Sequence, residues 1–206
     1  MGIALVLNAA CACAQLDYSA ARAQRKLQAM RTNEAITVDG QLNETAWATA
    51  PKADKFIQNE PRPDQPASED TEVRVLYDKE NLYIGVYAYD REPEKLIVAE
   101  LNRDFTRDIG DTVEIVIDTF HDERNGYQFA TNPEGAMWDG QMANEGRETN
   151  ESWDSVWYVK TKRHSDGWTA EFSIPFKSLK FRELDVQSWG INFYRNLRRK
   201  NEDSYW

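Results

Sequence analysis

From Glu72 onward the chain is dominated by short runs in which apolar residues recur at every second position, cut by turn-forming tetrads. Period-two alternation is the signature of half-buried strands, and it excludes the 3.6-residue stripe of an amphipathic helix. EVRVLYD places Val73, Val75 and Tyr77 on one face, Asp78 to Asn81 turns the chain, and LYIGVYAYD returns, so a hairpin is expected. DTVEIVID, residues 111 to 118, is a third strand. VWYVKTKR and WTAEFSIPF flank the turn HSDG as a second hairpin, and WGINFYRNLRR alternates Trp189, Ile191, Phe193 and Leu197 against Asn192, Tyr194, Asn196 and Arg198. Ahead of these, ITVDGQLNETAW reads as a strand, an Asp-Gly turn and a helical turn that tucks Leu42 and Trp47 inward, and Pro61, Pro63 and Pro66 mark an extended loop. The expected class is all-β, an antiparallel β-sandwich of immunoglobulin or jelly-roll type.

One domain accounts for the 206 residues. Residues 1–14 carry an apolar stretch from Ile3 to Leu7 and an A-x-A pattern at Ala12-Cys13-Ala14, which reads as a signal peptide although no Lys or Arg precedes the stretch. Residues 15–35, polar and Ala-rich, read as a linker or frayed helix, and the sandwich is expected over residues 36–206. Both cysteines, Cys11 and Cys13, lie in the export-type segment. The mature chain then has no thiol for a disulfide, a zinc site or a nucleophile. The expected location is therefore outside the cytoplasm, as an exported chain. A net charge of −10 argues against nucleic acid as a partner, and the basic cluster Arg195, Arg198, Arg199 and Lys200 reads as a solvated strand end.

On DTVEIVID, Val113, Ile115 and Ile117 share one face, while Thr112, Glu114 and Asp118 share the other, so the acids face solvent or a ligand. Glu114 and Asp118 stand ~13 Å apart along a strand, too far for the ~5 to 9.5 Å of a glycosidase pair. There is no G-x-S-x-G elbow or H-E-x-x-H motif, and His121 and His164 are isolated. The chain is therefore not expected to be an enzyme. The loop DTFHDERNG brings oxygen donors, Asp118, Asp122 and Glu123, of the kind calcium takes, without the spacing of a recognised calcium loop; a polar hairpin loop is the plainer reading. Among seven tryptophans, Trp168 and Trp189 alternate with core residues. Trp138 and Trp153 lie in a polar, Gly-rich stretch and are the better candidates for stacking on a sugar, with packing the plainer reading for both.

Five pieces in order, IxVDGxLNExxW at 36–47, VRVLYDKENLYIGV at 73–86, DTVEIVID, GWTAEFSIPF at 167–176 and WGINFYR at 189–195, resemble the family 9 carbohydrate-binding modules. NFYRNLRRKNEDSYW is similar to the amino-terminal domains of large bacterial proteins that continue into an outer-membrane-type β-barrel, which implies such a barrel as partner, a location in the bacterial periplasm or at the outer membrane, and strands completing the sandwich beyond Trp206. The resemblance implies a non-catalytic sandwich, often with structural calcium, that holds oligosaccharide or polysaccharide ends between two tryptophans. It matches Glu114 to the glutamate that faces sugar and Asn132 to the asparagine of the next strand. Where sugar-binding members have a stacking tryptophan and an arginine, this chain has Asp108 and Ala130. Two other readings follow: an interaction domain that serves a barrel after losing sugar binding, and an accessory module of a glycoside hydrolase.

Overall fold

A computed structural model describes residues 25–206; the export-type segment of residues 1–14 lies outside them. The strands are β1 (Met30–Arg31), β2 (Lys52–Ala53), β3 (Ile57–Glu60), β4 (Thr71–Tyr77), β5 (Asn81–Tyr89), β6 (Thr112–Asp118), β7 (Gly126–Thr131), β8 (Met137–Ala143), β9 (Glu148–Asn150), β10 (Tyr158–His164), β11 (Gly167–Pro175), β12 (Gly190–Leu197) and β13 (Glu202–Tyr205). One sheet runs β1-β4-β5-β11-β10 with β2 beside β4, and the other runs β3-β13-β12-β6-β7-β8-β9. This is the expected sandwich, and both expected hairpins form, β4 with β5 and β10 with β11.

The alternation does what period two requires. Val73, Val75, Ile84, Val86, Ala170, Phe172 and Ile174 from the first sheet meet Val113, Ile115, Ile117, Phe129 and Phe193 from the second in one buried cluster. Apolar burial of this kind contributes roughly 1.5 to 3 kcal/mol per large side chain.

Three expectations need correction. The stretch around Ile36 to Val38 is not a strand. Its donors go to carboxylates in place of a ladder: Thr37 N donates to Glu44 Oε1 at 3.0 Å, and Asp39 N and Gly40 N donate to Glu171 Oε2 at 3.0 and 3.1 Å. Second, the sheet begins ahead of Ile36, because Met30 and Arg31 pair in parallel with Leu76 and Tyr77 and extend the edge of β4 that β2 borders at Val73 and Arg74. Third, the RNLRRK cluster is not a solvated strand end. Arg195 is 2% exposed and donates to Asp70 O, Thr71 Oγ1 and Tyr89 O, tying β12 to the opposite sheet, while Arg199 forks onto Asp90 and Lys200 pairs with Glu69.

The helical turn is α1 (Thr45–Thr49), whose first-turn amides at Thr45 and Ala46 are capped by the distant carboxylate of Glu34. It lays Trp47 and Leu42 on the outer face of β5, where Gly85 makes room: a Cβ there would stand 2.8 Å from Leu42 Cδ2. That cover buries β11 on both faces, including Glu171, which is fully buried and also accepts from Trp47 Nε1 at 3.2 Å. Burial pushes the Glu171 carboxyl up to about 7.

Candidate binding cleft

With β11 and β5 covered, the open outer face is that of the second sheet. Strand register sets one row of side chains across it: Tyr205 pairs with Tyr194, Tyr194 with Glu114, Glu114 with Ala130, and Ala130 with Trp138. The neighbouring row carries Asn192, Val116, Gln128 and Gly140. Since partners in register project to the same side, the two rows floor a cleft of about 680 Å³. Its wall is the segment from Asp104 to Asp108, and Glu151 also lines it.

That wall is fixed by its own bonds. Phe105 is 3% exposed and packs with Ala130, Ala136 and Trp138. Asp104 N donates to Met137 O at 2.8 Å, and Thr106 N donates to Glu100 Oε2 at 2.6 Å. The wall thereby aims Arg107 inward. Its Nη1 donates to Glu114 Oε2 at 2.5 Å, and its guanidinium lies 3.6 Å from the centroid of the Trp138 ring. A guanidinium on an indole face is a cation–π contact as well as an apolar one. Because Ala130 separates Glu114 from Trp138 in the row, its small side chain leaves the space that Arg107 spans.

Glu114 is 8% exposed, and burial pushes its carboxyl up, opposed by the Arg107 guanidinium and by Gln128 Nε2, which donates to Oε1 at 2.8 Å. Each carboxylate oxygen therefore has one protein donor and acceptor capacity to spare. The Tyr194 and Tyr205 rings sit 5.4 Å apart with planes at 47°, half-buried on the cleft floor. The phenol of Tyr194 is shifted upward, by burial first and then by its hydrogen bond to Asp203.

The structure brings together only two of the residues singled out for sugar binding, Glu114 and Trp138. Trp138 is 3% exposed, with its ring between Arg107 and Gly140, and is a wall more than an open platform. Asn132, 2% exposed, sits behind the lining: Nδ2 donates to Glu100 O at 2.7 Å, and Oδ1 accepts from Glu134 N and Ala136 N. It braces the wall. Trp153 packs on Tyr127 and Phe129, members of the core cluster on the other face of the sheet, because the segment after β9 folds back over the sandwich edge. The sequence reading missed Arg107, Gln128, Tyr194 and Tyr205 as site residues; only the outward parity of Asn192 and Tyr194 signalled part of the face.

The residues considered for calcium do not converge. Asp118 accepts from Phe120 N and Glu123 N, and Asp122 accepts from Arg124 N, Asn125 N and Asn125 Nδ2, bonds that hold the Asp122 carboxyl below its usual range. Glu123 stands at φ 56° in the same turn. Among the described residues no group of three His, Cys, Asp or Glu side chains is placed to hold a metal ion. Likewise, no helix among them is long and apolar enough to cross a membrane.

A two-sheet sandwich with a walled, polar and aromatic cleft on one outer face is the architecture of a ligand-binding module. The sequence matches the family model "Carbohydrate family 9 binding domain-like" over residues 38–204, and the chain belongs to that family of non-catalytic carbohydrate-binding modules. Its fold is similar to that of a family 9 carbohydrate-binding module from Caldicellulosiruptor kristjanssonii solved in complex with cellotriose, at 17% identity over 87% of this chain and 83% of that one, with a TM-score of 0.61. The complex with glucose gives 17% identity, 87% and 85% coverage, and a TM-score of 0.59. A candidate carbohydrate-binding protein from Bacteroides uniformis ATCC 8492 is similar at 13% identity over 86% of this chain and 87% of that one, with a TM-score of 0.66. No curated protein matches the sequence.

Proposed function

We propose that the cleft over β13, β12, β6, β7 and β8 binds a carbohydrate chain. The observation that carries this reading is the fixed trio of Glu114, Arg107 and Gln128 on the cleft floor beside the Tyr194 and Tyr205 rings. A sugar ring offers hydroxyls that both donate and accept, and C–H faces that pack on aromatic rings. Glu114 supplies free acceptor sites, Arg107 has donors beyond the one bonded to Glu114, and the tyrosines supply apolar surface. Holding the polar groups in place before binding limits the ordering cost that otherwise offsets such contacts. That structurally similar modules hold cellotriose and glucose makes gluco-configured oligosaccharides the first ligands to try.

The test is calorimetric titration of a glycan panel, with and without calcium, into wild-type protein and into Glu114→Ala and Arg107→Ala. Loss of a hydrogen bond to a charged group costs about 1.5 to 3 kcal/mol, so each variant is expected to bind roughly 10- to 100-fold more weakly while keeping its β circular dichroism. A folded wild type that binds nothing in the panel overturns the proposal.

The proposed setting is the cell envelope, on the export-type pattern of residues 1–14 and the resemblance to domains that precede an outer-membrane barrel. Fractionation of a tagged chain expressed with its own leader, recovered from cytoplasm alone, sinks that placement.

A further inference from the structure

We infer that the carbohydrate taken by this cleft carries free amino groups: an amino sugar or a chain of amino sugars. The inference rests on the carbohydrate reading above and adds the chemical class. Among the described residues the cleft is lined by four carboxylates, Asp104, Asp108, Glu114 and Glu151, against a single cation, Arg107. That cation is already committed to Glu114. Asp104, Asp108 and Glu151 are exposed, and their carboxylates have no ion-pair partner among the described residues. The unbalanced charge at the mouth of the cleft is therefore negative, within a chain whose net charge is itself −10.

The same cleft shows how it holds positive charge. Arg107 is stacked on Trp138 and bonded to a buried carboxylate, so the chain's own cation is held by an aromatic face and an acid acting together. The tyrosine pair repeats half of that combination in the same cleft, and the rim carboxylates provide the other half. A chain of amino sugars lying in the cleft has both available to its ammonium groups, cation–π attraction from the rings and charge-assisted hydrogen bonds from the acids. An N-acetyl group removes the charge, and a uronic acid brings a carboxylate to face three others, while the charge of the one guanidinium is already offset by Glu114.

Exposed charge pairs are each worth a factor of about two or three, so three rim acids give a preference of roughly tenfold. The experiment is titration at mildly acidic pH and low salt with glucosamine oligomers, the N-acetylated oligomers of the same length, cello-oligosaccharides and oligogalacturonate. Glucosamine oligomers are expected to bind about tenfold tighter than cello-oligosaccharides, oligogalacturonate weakest, and the preference is expected to collapse as salt rises. In an Asp104→Asn/Asp108→Asn double variant, whose changes are at exposed positions, the ratio of amino-sugar to neutral-sugar affinity is expected to fall about fivefold. Equal affinity for the amino and neutral oligomers, or a ratio unmoved in the double variant, overturns this inference and leaves the carbohydrate reading standing. Absence of binding to every sugar overturns both.

Discussion

Replacing Glu171 by Gln should flatten the pH dependence of folding. In the folded chain this carboxyl is fully buried on β11, where it accepts from Asp39 N, Gly40 N and Trp47 Nε1 and so fastens the segment ahead of α1 to the sheet. Burial, and secondarily the nearby charge of Glu44, lift its pKa from 4.5 to about 7 in spite of those three donors. A carboxyl whose folded pKa is raised contributes stability that is complete below the unfolded value and is lost as pH climbs through the folded one. At ~1.4 kcal/mol per pH unit of displacement, the total swing is roughly 3 kcal/mol. About 2 kcal/mol of it falls between pH 5.5 and 8.5, clear of the acidic range in which the chain's net charge approaches zero. Urea unfolding followed by tryptophan fluorescence, run on wild type and Glu171→Gln at matched pH, isolates this group because the other titrations cancel. The variant starts lower in acid, since the Gln amide turns a donor toward one of the three donors it faces, at a cost of about 1 to 3 kcal/mol. The gap should then narrow by about 2 kcal/mol on going to pH 8.5. Parallel curves would refute the assignment of a largely protonated carboxyl at this site.

Two further substitutions probe what holds the sandwich and the cleft together. Arg195→Leu strips donors from Asp70 O, Thr71 Oγ1 and Tyr89 O between the sheets, and urea unfolding should show a loss of about 3 to 5 kcal/mol; an unchanged or higher stability would mean that desolvating the guanidinium costs as much as its bonds return. Gly140→Ala sets a Cβ 2.8 Å from Trp138 Cη2 and 2.9 Å from Thr149 Cγ2, so a destabilisation of about 1 to 3 kcal/mol and a shifted tryptophan emission are expected, and wild-type stability with unchanged emission would place the indole elsewhere.

Much of the fold was legible because strand alternation and turn chemistry act over a few residues. Val113, Ile115 and Ile117 point inward and Glu114 outward for the stereochemical reason that successive side chains leave a pleated strand on opposite faces. The hairpin β8–β9 escaped notice because β9 is the edge of its sheet and the residues from Gln141 to Asn150 are half-buried or exposed, so MWDGQMANEGRETN lacks apolar periodicity. The strand expected near Ile36 failed for the opposite reason: its local pattern was suitable, but carboxylates of Glu44 and Glu171 took the backbone donors that a sheet partner needs.

The sequence by itself determined the class of the fold, its two tight hairpins, the face on which Glu114 stands and the absence of recognised catalytic motifs, since these depend on neighbours in the chain. Only the tertiary structure decided which outward residues meet. Tyr205, Tyr194, Glu114 and Trp138 come from β13, β12, β6 and β8, and their row exists because β12 pairs with β6 across a long span of chain in one register out of many. Arg107 reaches Glu114 and Trp138 because Phe105 is buried beside Ala130 and fixes the loop over the sheet. Period two is a property of each strand's backbone, whereas register and loop placement follow from packing the whole sandwich.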